Sequence, residues 1–95
     1  MNLEEQESFL NGLNKGDVFV AESIHGKDEF RMVEWNGEIG QNEHGLFAKE
    51  ARVVLKTREI EVYVVSDVLF LDDDFRKPTE VESVLFRLLK IHGKF

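Results

Sequence analysis

The chain contains no cysteine. That excludes disulfide staples, zinc–thiolate centres and cysteine nucleophiles, and it leaves the fold to be held by its core alone. Proline occurs once, at Pro78, so no proline-rich linker divides the chain. Tyrosine and tryptophan occur once each, at Tyr63 and Trp35, against eight phenylalanines. Aromatic burial must therefore come mainly from rings without a polar handle. Long apolar runs are missing too. The most apolar stretch, 62–71, is interrupted by Ser66 and Asp67 and is too short to span a bilayer. The first residues are acidic and lack the apolar segment of a secretory signal. These absences lead us to expect a cytoplasmic protein with no membrane partner. Positive charge is also scarce, with 12 Lys and Arg against 19 Asp and Glu, for a net charge of −7. Phosphate contacts need basic surface, so the balance argues against nucleic acid in general and favours a basic protein partner.

What is present suits a single domain over 1–95. Hydrophobic residues make up 42% and charged residues 33% of the chain, which is globular composition. Residues 2–13 read as a short helix, because Asn2 and Glu5 have capping-box spacing and Leu3, Phe9, Leu10 and Leu13 supply a partial apolar stripe. Residues 17–25 and 29–35 read as two strands joined at Gly26-Lys27. That turn sets Glu22 opposite Arg31, Val20 opposite Val33 and Val18 opposite Trp35. Asn36-Gly37 is a hairpin signal, since both residues tolerate positive φ, and it predicts a short strand over 38–41. Residues 42–45 then form a loop. Over 48–66, a turn at Thr57-Arg58 pairs Leu55 with Ile60, Val53 with Val62 and Ala51 with Val64 on one apolar face. It pairs Lys56 with Glu59, Val54 with Glu61 and Arg52 with Tyr63 on the other. Residues 68–71 read as a further short strand or a turn. Thr79 and Glu82 form a second capping box, and Val81, Val84, Leu85, Leu88 and Ile91 follow at helical spacing.

The expected class is therefore α+β. It comprises a small curled antiparallel sheet or partial barrel of five to six strands, a short N-terminal helix and an amphipathic C-terminal helix. The segment Leu13-Asn14-Lys15-Gly16-Asp17-Val18-Phe19-Val20 resembles the start of many SH3-like small barrels, in which a Lys-Gly-Asp turn feeds the first strand. The resemblance covers these eight residues, implies an SH3-like partial barrel and carries no function.

No catalytic constellation stands out. The serines lack a nucleophile-elbow pattern, the glycines form no phosphate-binding loop, and no histidine is helically spaced from another. The chain is read as a non-enzyme without cofactor or metal. The run Asp72-Asp73-Asp74 lacks the alternating ligand spacing of a calcium loop and reads as a solvated acidic loop or a protein contact. Asp72, Asp73, Asp74, Glu34, Glu38 and Glu43 are the candidate contacts for a basic protein. An inhibitor, immunity or regulatory protein of a phage or mobile element would fit that description. The alternative is a small-barrel nucleic-acid binder that uses Arg52, Lys56, Arg58 and Tyr63, three cations and a ring on one strand face. The last helix is wider in its apolar face than one small sheet needs, which suggests a homodimer through Val81, Phe86 and Leu89.

Overall fold

The structure is a computed structural model that describes residues 1–23, 30–56 and 60–92, with the backbone alone for 30, 55, 56 and 60–66. Among these residues the chain forms two helices and six strands: α1 (Leu3–Asn11), β1 (Val18–Glu22), β2 (Phe30–Glu34), β3 (Ile39–Asn42), β4 (Gly45–Lys56), β5 (Ile60–Leu69), β6 (Asp74–Arg76) and α2 (Glu80–Ile91). Every strand pairing is antiparallel. The sheet runs β3-β4-β2-β1-β6, with β5 added to β4, and it does not close on itself. Among the described residues the fold is thus a small α+β domain with an open antiparallel sheet and two helices.

Both helices begin as their sequences dictate. The Asn2 side chain accepts from the Glu5 backbone N–H at 2.9 Å, and the Glu5 carboxylate accepts from the Asn2 N–H at 3.2 Å. Thr79 and Glu82 repeat the arrangement at the head of α2. Each box satisfies two backbone donors that a helix start leaves without partners.

The sheet is buried on both faces, and this decides its register. Along β1, Phe19 and Ala21 enter a cluster with Leu10 of α1, Val33, Trp35, Val53 and Phe75. Val18 and Val20 face the other way, toward Met32, Val54 and Phe86 of α2. Trp35 is therefore core. Phe19 meets Phe75 at 5.1 Å and Phe70 meets Phe75 at 4.8 Å between ring centroids, both edge-to-face. Each fully buried ring contributes about 1.5–3 kcal/mol by leaving water.

Both expected hairpin registers are off by one residue. Val20 pairs with Met32 and Ala21 with Arg31. Likewise Val54 pairs with Val62, and Val53 with Tyr63. Alternation cannot discriminate between registers when both parities are apolar, as Val53 and Val54 are. The turns expected at Gly26-Lys27 and Thr57-Arg58 lie outside the described residues.

Asn36-Gly37 is not a hairpin turn either. β2 and β3 follow each other along the same edge of β4, and Asn36-Gly37 is the kink between them. A bulge in β4 lies opposite, where the register shifts between Ala48 and Ala51 and Glu50 takes a φ of 49°. The bulge changes parity, so that Leu46 and Ala48 before it and Ala51 and Val53 after it share one core. The Asn36 side-chain amide donates to the Lys49 carbonyl, and the Asp67 carboxylate accepts from the Glu50 N–H at 2.9 Å. The hairpin turn falls instead at 42–45, where Asn42 pairs with Gly45 at a φ of 132°.

Of the three residues expected at a dimer surface, Val81 is exposed, whereas Phe86 and Leu89 turn toward the sheet. Phe86 is 3% exposed because it fills the α2 side of the sheet, and Leu89 is half-buried beside it.

Candidate interaction surface

The acidic run is mostly architecture. Between β5 and β6 the chain reverses in a tight turn, with the Asp73 N–H donating to the Phe70 carbonyl at 2.9 Å. Arg31 reaches in from β2. It donates to the Leu69 carbonyl at 2.9 Å, pairs with the Asp73 carboxylate, and lies 5.8 Å over the Phe70 ring. Gln6, wholly buried on α1, donates to the Leu71 carbonyl at 3.1 Å and to the Asp73 carbonyl at 3.0 Å. The Met1 amine donates to the Asp72 carbonyl at 3.0 Å and to the Asp74 carboxylate at 2.7 Å. That bond to Asp74 is the main reason the amine's pKa is raised.

Asp73 is buried, and burial pushes its carboxyl above the ordinary range, although Arg31 acts in the opposite direction. Desolvation outweighs the single cation because the carboxylate has lost nearly all its water.

Leu71 has a φ of 51°, a conformation that costs a non-glycine residue roughly 1–2 kcal/mol. The residue is nevertheless 56% exposed. Around it lies a shallow groove whose walls include Leu3, Gln6, His44, Gly45 and Asp72. Leu3 is also exposed, and Glu4 follows it on the first turn of α1. Glu43, exposed on the 42–45 turn, sits 3.3 Å from His44. Leu3 and Leu71 thus line one groove with Asp72, and Glu4 and Glu43 each directly adjoin a groove residue in the chain.

Of the six carboxylates expected to contact a basic protein, Asp72 lines this groove and Glu43 adjoins its wall at His44. Asp73 and Asp74 are engaged internally. Glu34 pairs with Lys90 of α2 at 2.9 Å. Glu38 is exposed beside the Asn36 kink, at the opposite end of β3 from Glu43. Glu22, expected to face Arg31, is bonded by Arg76 at 2.7 Å instead, and the same guanidinium holds Glu82.

The basic stripe fares differently. Arg52 is half-buried, Arg58 lies outside the described residues, and the side chains of Lys56 and Tyr63 do so as well. The register pairs Tyr63 with Val53 rather than with Arg52, so the pairing that placed a ring beside that cation does not form.

Sequence reasoning passed over Leu3, Gln6, Arg31 and Leu71. The only available signal for Leu71 was an apolar residue next to an acidic run. Gln6 and Arg31 offered none, because their partners lie 65 or more and 38 or more residues away in sequence.

Among the described residues, no group of three or more His, Asp or Glu side chains is placed to hold a metal ion, and no helix is long and apolar enough to cross a membrane. The chain matches no protein-family model and shows no significant match to a curated protein or a solved structure.

Proposed function

We propose that this chain is a non-enzymatic interaction module that engages a basic protein through the edge formed by Leu71, Leu3, Asp72 and Glu43. The supporting observation is Leu71. A leucine held in a left-handed conformation, with its side chain in solvent, costs stability and returns little within the monomer. An apolar centre with a polar rim is the usual anatomy of an interface, and the carboxylates would speed encounter with a basic surface. Occlusion of a partner's basic working surface is how such a module would inhibit or regulate. That is the sense in which an inhibitor or immunity role fits.

Leu71→Gly separates binding from folding. Glycine accepts the same φ without strain, so stability should hold or rise while the anchor disappears. Asp72→Lys with Glu43→Lys removes the acidic rim without touching Asp73 or Asp74. With the parent chain as bait in a lysate of its native host, a basic protein should be retained at low salt and lost from both variants. Retention by both variants, or capture only of acidic proteins, would refute the assignment.

A further inference from the structure

α2 has two apolar faces, and the sheet covers one of them. Phe86, Leu85 and Leu89 pack on Val20, Met32 and Val54. On the other side Val81, Val84, Leu88 and Ile91 are 78%, 44%, 48% and 69% exposed. Their spacing of three, four and three residues is that of the a and d positions of a coiled coil. Together they expose an apolar patch on the order of 400 Å², within the range at which such patches mark contact sites.

We propose that this stripe docks on the same stripe of a second copy, with the two α2 helices antiparallel. The pattern is its own complement under a two-fold axis. Val81 meets Ile91 of the partner subunit and Val84 meets Leu88 of the partner subunit, and both layers recur on the far side of the axis. The charges agree with that direction. Glu80 is exposed at the head of α2, while Arg87 and His92 are exposed toward its tail. An antiparallel pair sets acidic head against basic tail and opposes the helix dipoles, whereas a parallel pair aligns like ends.

Two such stripes bury roughly 800 Å² of apolar surface, less than the 1,200–2,000 Å² of a standard interface. An interface that small belongs to the weak, transient class. The Leu71 edge packs with α1 on the opposite face of the sheet, so dimerisation leaves two copies of that edge open.

Sedimentation equilibrium of the full chain from low micromolar to millimolar concentration tests the proposal. The mass should rise with concentration from 11.0 kDa toward twice that value. Leu88→Glu and, separately, Ile91→Lys should each weaken association at least tenfold. Ile91→Lys should leave the circular-dichroism melt at low concentration nearly unchanged, because Ile91 is already 69% exposed. A mixture of V84C and L88C chains should oxidise to the mixed disulfide faster than either chain alone joins to itself. A chain that stays monomeric throughout, a dimer insensitive to both charged variants, or preferential V84C self-linkage overturns the proposal.

Discussion

Arg31→Leu tests whether the acidic turn is held from within. In the parent, the guanidinium pairs with the buried Asp73 carboxylate, bonds the Leu69 carbonyl and covers the Phe70 ring. Removing one partner of a buried ion pair costs about 3–5 kcal/mol, because the other charge is left without compensation. The Arg31 side chain is 26% exposed, so water screens part of the pair, and a loss near the low end, ~3 kcal/mol at pH 7, is expected. In a domain of this size that lowers the melting temperature by roughly 12–24 °C.

The pH dependence separates this account from a simple packing loss. The folded pKa of Asp73 is raised above its unfolded value of 3.8. Its stabilising contribution is therefore complete below 3.8 and lost as pH rises through the folded pKa. Deleting Arg31 removes a cation that lowers that pKa, so the variant's deficit should be largest near neutrality and shrink as the pH approaches 4. Urea denaturation of parent and variant at both pH values measures it. Asp73→Asn added to Arg31→Leu should cost less than the two single changes summed, by about 1–2 kcal/mol. A deficit equal at both pH values, together with additive single costs, would refute the reasoning.

Two further outcomes follow from local geometry. The Arg76 fork, with help from the Thr79 cap, holds the Glu82 carboxyl at about 2, below its ordinary 4.5. That contribution is present above 4.5 and lost as pH falls toward 2, so Glu82→Gln should cost ~1 kcal/mol at pH 7 and flatten the acid limb of a melting-temperature profile. Retention of the parent's acid limb by the variant would show the carboxyl to be unimportant. Gly40→Ala places a Cβ 2.2 Å from the Phe47 ring tip. The half-exposed ring must swing away, at a cost of about 1 kcal/mol in urea denaturation, and an unchanged midpoint would mean that it yields freely.

How much could be read in advance depended on the range of the interaction responsible. Both capping boxes lie within four residues of chain, and both formed where their residue types stand. The apolar spacing of α2 identified a helix, but it did not say which apolar face the sheet would take. Phe86 went inward, while Val81, Val84, Leu88 and Ile91 stayed in water. For the candidate edge, the acidic run was visible as a cluster. Its division into a buried Asp73, an amine-bound Asp74 and an exposed Asp72 was not, because Arg31 and Met1 arrive from distant chain.

By itself, the sequence determined the α+β class, the helix starts, the absence of thiol chemistry and the excess of negative charge. Each is set by composition or by contacts within one turn. The tertiary structure decided the register, the sheet order and the outward face of α2. A strand apolar on both sides fits two registers equally well, and only the clusters above and below it choose between them. The same packing turned Asn36-Gly37 from a reversal into a kink and left Leu71 in solvent. Neither outcome is encoded near those residues, because each is imposed by β4 and α1 closing on the turn from elsewhere in the chain.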